Sequence, residues 1–276
     1  MTAAETSKRF PQFILPDDWQ ALLEPNAGFV RPERAVLAHI QVARQHGAVI
    51  HQEEPVLEWK ATRQGVTVRT ARGTYSAGAL VVCAGAWTAE LLRGSVKSTA
   101  TVPTLRPLRV PIAWLVPSTA VAIAQCTSPR MPVWYAEPAD AAPVYGVPIA
   151  PDQGQPHGVK VAEHGGATAR ECDPRTVDRT CAAAELEHLR RAVERFVPCA
   201  AGKPSAGAVC LYTMSPDEHF IVDHWPGHSN VVVACGFSGH GFKFTPIIGQ
   251  ALADLATTGT TPLPTEFLKI ARFQAD

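Results

Sequence analysis

The chain of 276 residues has no charge surplus of either sign: Lys plus Arg count 25, and Asp plus Glu count 25. Binding to nucleic acid or to acidic lipid draws on a basic excess, so neither partner is expected. The seven cysteines (83, 126, 172, 181, 199, 210 and 235) are odd in number and contain no CxxC pair or Cys/His ligand spacing. Zinc and a disulfide framework are therefore poor readings, and reduced thiols in a cytoplasmic protein are the expectation. The opening MTAAETSKRF lacks the apolar core of a signal peptide. The least charged region, Val110 to Pro129, is broken by Pro111 and Pro117 and diluted by Ser118, Thr119 and Gln125, so it reads as strand plus loop and not as a membrane span. No internal repeat or low-complexity tract is present.

What is there is core material. Hydrophobic residues make up 46% of the chain, enough for one large domain or two small ones. Residues 1–31 show no clear period. PERAVLAHIQVARQHG (32–47) reads as a helix, with Pro32 in the first turn, apolar residues at Val36, Ile40 and Ala43, and Gly47 as a stop. AVIHQ (48–52) follows as a short strand, then VLEW, GVTVRT and GTYSAGALVVCAGAW. The alternation in VTVRT suits a half-exposed antiparallel ribbon, whereas the continuous ALVVCAGA suits a strand buried on both faces. Ala84, Gly85 and Ala86 then make a small-residue turn that either is simply tight or lets a ligand approach the backbone. From Leu105 to Val161, LRVPIAWLV, PVWYAE, PVYGVPI and GVKVAEH are spaced by Pro- and Gly-rich turns, the texture of an antiparallel sheet. An amphipathic helix is expected over 180–198, two strands in 207–225, a strand at 230–235 and a helix over 245–259.

The order is helix–strand, an all-β insert, then strand–loop–helix. That order predicts two interleaved domains sharing one active site. NVVVACGFSGHGFKF (230–244) holds the densest chemistry: a buried strand, then glycines, His240 and Lys243, then a helix start. Such a junction suits an anion or a cofactor. It is not a dinucleotide fingerprint, because Gly239-x-Gly241-x-x-Phe244 lacks the third glycine. Lys243 sits well for a carboxylate or an anionic ring, or is a surface lysine at a helix start. His240 by itself suits a structural role.

GFSGHGFKF, preceded by GAVCLYTMSPDEHFIVDHWPGHSNVVVA, closely resembles the C-terminal part of the monomeric sarcosine oxidase and N-methyltryptophan oxidase family, FAD-dependent amine oxidases of the glycine oxidase and D-amino acid oxidase superfamily. HGVKVAEHGG (157–166), VVCAGAWTAELL (81–92) and LLEPNAGFV (22–30) extend the resemblance over nearly the whole chain. It implies a mixed α/β (α+β) fold. Residues 32–92 and 200–262 would be the remainder of a Rossmann-like FAD-binding domain lacking its first βαβ unit. Residues 1–31 and 93–199 would form an antiparallel-sheet substrate domain.

The resemblance also implies roles. Cys210 falls where the family attaches the flavin covalently, Lys243 where it binds the substrate carboxylate, and Lys160 where a lysine promotes oxygen reduction. Gly239, His240 and Gly241 would line the flavin, with Val56, Ala84, Gly85 and Trp87 also on the cofactor side. Tyr212 and His164 would line the substrate cavity. Without the resemblance, Cys210 reads as a buried structural cysteine and Lys160 as an exposed strand residue.

The implied chemistry is oxidation of a secondary amine to an imine, with O2 reduced to H2O2, in a cytoplasmic monomer. A relative such as a pipecolate or other N-methyl amino acid oxidase is a further reading within the enzymes. The family also begins with strand, GxGxxG and helix, followed by an acidic residue for the ribose and basic residues near the flavin, which have no counterpart here. Met1 is accordingly expected to be an internal start, a gene-model error or a truncation. The polypeptide alone is expected to bind FAD weakly or not at all, which leaves a non-catalytic remnant or binding module as the alternative. Purified protein that stays yellow after acid denaturation would contradict that expectation.

Overall fold

The computed structural model describes residues 1–95, 103–152, 154 and 156–273. Residues 96–102, 153 and 155 of the expected 93–199 segment lie outside the described residues. In chain order the elements are α1 (Ala3–Arg9), α2 (Pro32–Gln45), β1 (Val56–Thr62), β2 (Gly65–Thr70), β3 (Thr74–Ala77), β4 (Leu80–Val82), α3 (Thr88–Ser95), β5 (Arg106–Val116) and α4 (Ala120–Gln125). They continue with β6 (Trp134–Ala136), β7 (Val144–Val147), β8 (Val159–Glu163), β9 (Arg170–Glu171), α5 (Ala183–Glu194), β10 (Lys203–Met214), β11 (Ile221–His224), β12 (Val231–Cys235) and α6 (Thr245–Thr258). The fold is mixed α/β with antiparallel sheets, as the sequence pattern implies.

Two compact units share the chain. The first comprises Met1–Val30, Arg109–Glu171 and Thr176–Cys210. Its sheet runs in the order β10-β5-β8-β7-β6, with β9 paired to β5. Ala113 and Leu115 of β5, Val144 of β7, and Val159 and Val161 of β8 are buried with Leu189 and Val193 of α5. Each fully buried valine or leucine contributes about 1.5–3 kcal/mol, so this layer is the unit's main stabilising contact. The start of α5 is held by Glu185, whose Oε2 accepts the Ala182 N–H at 2.9 Å. Arg109 Nη1 donates to Glu185 Oε1 at 2.6 Å and Arg109 Nη2 donates to the Thr180 carbonyl. The Arg109 guanidinium keeps Glu185 below the ordinary carboxylate range.

The second unit comprises Arg31–Leu108, Cys172–Arg175 and Leu211–Asp276. An antiparallel ribbon, β1-β2-β3, and a small sheet, β11-β12-β4, make up its strands. In the small sheet β11 runs antiparallel to β12, whereas β4 runs parallel to it, with Leu80, Val81 and Val82 opposite Val231, Val232 and Val233. Every residue of β12 is buried. Val231 and Val233 pack with Trp59, Val82 and Ile221, and Val232 packs with Phe220 and Leu252 of α6. A strand covered on both faces reads as a continuous apolar run, which VVVAC is.

Three expectations need correction, and one segment left without a period gains an element. AVIHQ (48–52) forms no strand among the described residues: Val49 is 79% exposed, and a strand needs a ladder partner that local propensity does not supply. The 1–31 segment contains α1, started by a capping box in which Thr2 Oγ1 accepts the Glu5 N–H while Glu5 accepts the Thr2 N–H. The stretch after Val116 holds the short helix α4, capped by Thr119, and not loop alone. The helix expected over 180–198 is confined to Ala183–Glu194, because Thr180 bonds back to Asp178 and Pro198 begins a separate turn. No helix among the described residues is long and apolar enough to cross a membrane.

Candidate active site

Parallel pairing of β4 with β12 brings two loops to one place, the carboxyl end of both strands. Residues 83–87 leave β4 and enter α3, and residues 236–244 leave β12 and enter α6. In parallel sheets, ligands settle outside the carboxyl ends of strands, where chain turns and helix N-termini converge. Ala84, Gly85, Trp87, Gly239, His240, Gly241 and Lys243 all lie in these two loops.

The β12 loop is wound through left-handed positions at Gly236 (φ +63°), Ser238 (+47°) and Gly239 (+84°). A left-handed serine is unusual and needs external support. Ser238 has it: its N–H donates to the Thr213 carbonyl at 3.0 Å, its Oγ donates to the Gly236 carbonyl at 3.1 Å, and that oxygen accepts the Ser215 N–H at 3.2 Å. Ser238 is fully buried, so the loop is pinned to the end of β10. A Cβ on Gly239 would lie 2.2 Å from the Tyr212 ring, and one on Gly241 would lie 2.4 Å from the Phe237 ring. Tyr212 therefore packs on the bare face of Gly239.

The aromatic residues beneath the loop are a second support. Phe220 lies 4.9 Å from the rings of both Phe237 and His240, and 5.4 Å from Phe244. His240 Nδ1 is 3.1 Å from the Ser238 carbonyl, an acceptor, which fixes the ring proton on Nδ1. Lys243 is exposed, with its Nζ 5.7 Å from the Phe244 ring centre. It is thus a solvent-facing cation just before the start of α6, as the surface-lysine reading has it. A cavity of about 360 Å³ lies on the apolar side of the loop, bordered by Phe220, His240, Phe244, Ile247 and Phe267.

The β4 loop differs at its glycine. Gly85 (φ +51°) is exposed, and nothing lies within 4 Å of the position its Cβ would take. Trp87 beside it is 42% exposed, while Thr88 is fully buried at the start of α3. Val56 stands apart, on β1 of the antiparallel ribbon opposite Thr70.

Three predicted residues belong to the first unit. Lys160 is half-buried on β8, between Trp114 of β5 and Val147 of β7, with Nζ 6.0 Å from the Trp114 ring centre. The exposed position read from strand alternation is corrected: β8 has neighbours on both sides. His164 follows β8, its N–H donating to the Pro143 carbonyl at 2.8 Å and its ring edge-on to Tyr135 at 6.4 Å. Cys210 is half-buried near the end of β10.

Sequence reasoning missed Ser238, Ser215 and Phe220. A serine between two glycines was a usable signal, whereas its partner Ser215, 23 residues away, was not. It also missed a cavity of about 1210 Å³ in the first unit, bordered by Arg9, Phe13, Trp19, Trp134 and Tyr135 but not by Lys160 or His164.

Residues 1–255 match the model of the family described as DAO, FAD dependent oxidoreductase. The chain belongs to this family. It is 40% identical to a monomeric sarcosine oxidase of Streptomyces avermitilis over 265 residues, 96% of this chain and 66% of the relative. A monomeric sarcosine oxidase of Bacillus sp. is 36% identical, with 93% and 63% covered, and an N-methyl-L-tryptophan oxidase of Salmonella heidelberg is 30% identical, with 99% and 68% covered. The chain thus spans about two thirds of the length of the curated relatives it matches. Among solved structures, L-proline dehydrogenase from P. horikoshii superposes with a TM-score of 0.80 at 21% identity, covering 99% of this chain and 68% of that one. NikD, an amino acid oxidase of nikkomycin biosynthesis, gives 0.78 at 22%, with 98% and 67% covered. These likenesses show the fold.

FAD is the cofactor of this family, and the loops at the carboxyl end of β4 and β12 have features that suit a flat ligand. Open space over Gly85 and a pinned, left-handed glycine loop offer backbone for close approach. No residue here forms the G-x-G-x-x-G turn that holds a pyrophosphate.

Proposed function

We propose that this chain supplies the ring-side and substrate-side residues of a flavin-dependent oxidase of secondary amines, with an N-methyl or cyclic amino acid as substrate. The observation that carries this reading is the pair of glycine loops at the carboxyl end of β4 and β12, one open to solvent and one pinned by Ser238. Identity of 40% to a protein named monomeric sarcosine oxidase supports the choice of substrate class. Bound FAD would supply a two-electron acceptor for the amine's C–H bond, with O2 as final acceptor and H2O2 as product.

The chain's own residues bind and orient. The backbones of Ala84, Gly85, Gly239, His240 and Gly241 approach the ring, with Trp87 and Val56 on the cofactor side. The Cys210 thiol is the point of covalent attachment. Lys243 pairs with the substrate carboxylate; its exposed cation is free of the cost of a buried charge before substrate arrives. Tyr212 and His164 border the amine. Lys160 keeps a positive charge where oxygen gains a negative one. The domains are assigned as residues 32–92 with 200–262 for the cofactor and 1–31 with 93–199 for the substrate. We also propose a cytoplasmic monomer, supported by seven free cysteines and by the relatives' name.

The test is a peroxide-coupled assay of the FAD-supplied protein with sarcosine, N-methyl-L-tryptophan and pipecolate. Peroxide release from one of them, with KM raised at least about 100-fold in Lys243→Met, supports the proposal; a lost charge pair of that kind is worth about 3 kcal/mol. Flavin retention with no turnover of any of the three would sink the oxidase reading and leave a binding module. Acid-precipitated protein is expected to hold flavin on the Cys210 peptide only when enough of the dinucleotide is bound, and flavin titration of the chain alone is expected to show weak binding.

A further inference from the structure

Cys126 and Cys199 meet where α4 abuts the Pro198–Ala200 turn, with their Sγ atoms 3.6 Å apart. Cys126 caps the C-terminus of α4. Its N–H donates to the Ala122 carbonyl and its carbonyl accepts the Ile149 N–H, both at 2.9 Å, and it is wholly buried in the first unit's core. Cys199 is half-buried and packs against that core from its edge. One cysteine is thus partly exposed and the other is enclosed beside it. The two sulfurs are within hydrogen-bond reach and either thiol can donate; when the enclosed Cys126 keeps its proton and donates it, the Cys199 thiol is lowered and the Cys126 thiol is pushed upward. A large thiolate fraction near neutral pH combined with partial exposure is the setting in which cysteines react with peroxides.

We propose that Cys199 and Cys126 form a peroxide-responsive dithiol, in which Cys199 is oxidised first and Cys126 resolves it into a reversible disulfide between α4 and the 198–200 turn. In the first step the Cys199 sulfur attacks one oxygen of H2O2, and the O–O bond breaks. Hydroxide leaves and takes up the thiol proton as water, leaving Cys199 as sulfenic acid. In the second step the Cys126 sulfur attacks the Cys199 sulfur, the S–O bond breaks, and a second water departs with the Cys126 proton. Each sulfur gives one electron, and the two peroxide oxygens receive them. The sulfurs need only close from 3.6 Å to about 2.0 Å. The oxidant is hydrogen peroxide of any origin, so the dithiol does not depend on the oxidase reading, although that reaction would be a local source.

The test uses the full chain, reduced, freed of reductant and exposed to graded hydrogen peroxide. It is then alkylated, digested and analysed by mass spectrometry. The expected product is a linked peptide pair containing Cys126 and Cys199, cleaved by dithiothreitol. Loss of the Cys199 thiol should run about 10-fold or more ahead of the half-buried Cys172 thiol. In Cys126→Ser, Cys199 is expected to stop at a sulfenic acid trapped by dimedone, and in Cys199→Ser the Cys126 thiol should survive. Should the Cys126 variant not fold, the linked pair in the wild-type chain decides alone. Cys126 remaining alkylatable while Cys199 proceeds to sulfinic acid, or Cys199 reacting no faster than Cys172, would overturn the proposal.

Discussion

The two loops at the carboxyl end of the parallel pair share a plan, strand then glycine then helix, yet their glycines serve opposite ends. Gly239 is bare because Tyr212 occupies the space its side chain would need. Gly85 is bare with nothing near it at all. Both have positive φ, so the backbone requirement is common to them and the surroundings differ. A glycine filled from within is a packing residue, whereas a glycine facing open space leaves backbone free for a ligand. The same residue type at matching positions thus meets a packed ring in one loop and open space in the other.

Substitutions can break this contrast in order of expected cost to stability. Gly239→Ala adds a Cβ 2.2 Å from the Tyr212 ring on top of a left-handed backbone, so a loss of about 2–4 kcal/mol is expected from strain and overpacking together. Denaturant unfolding measures it, and adding Tyr212→Ala should recover part of the loss if collision with that ring is the cause. Ser238→Ala is next. It strands the buried Ser215 N–H and is expected to cost about 1–3 kcal/mol, with hydrogen exchange quickening across 213–241.

Gly85→Ala should cost only about 1 kcal/mol, the backbone penalty alone, while weakening flavin binding by more than its stability loss accounts for. Equal effects of Gly85→Ala and Gly239→Ala on melting would erase the distinction between the loops. Lys243→Met, exposed and outside the packing, should leave stability within about 0.5 kcal/mol while raising KM for a substrate carboxylate.

Local pattern made some elements legible and left others closed. α2 was readable because Pro32 opens it and Gly47 ends it, signals that act within one turn. β12 was readable because burial on both faces writes itself as an unbroken apolar run. AVIHQ looked like a strand and is not one, since its local propensity says nothing about whether a partner stands alongside. α1 is too short for its periodicity to show, although Thr2 and Glu5 already spell its capping box. In the candidate site, glycine spacing pointed to the loop after β12, which leaves the parallel pair at its carboxyl end. The network that pins the loop runs from Ser238 to Thr213 and Ser215, and the ring that fills Gly239 comes from Tyr212; such contacts across sequence have no local signature.

The parallel register of Leu80 with Val231 also has a consequence in time. The two strands are about 150 residues apart in the chain, so their pairing must wait for everything between them. At translation speeds of about 5–20 residues per second, β4 would emerge roughly 8–30 s before its partner. Through that interval its apolar edge has no neighbour in β12 to cover it. The junction that aligns the two glycine loops is therefore among the late contacts of the nascent chain, closed only when β12 and then α6 have been made.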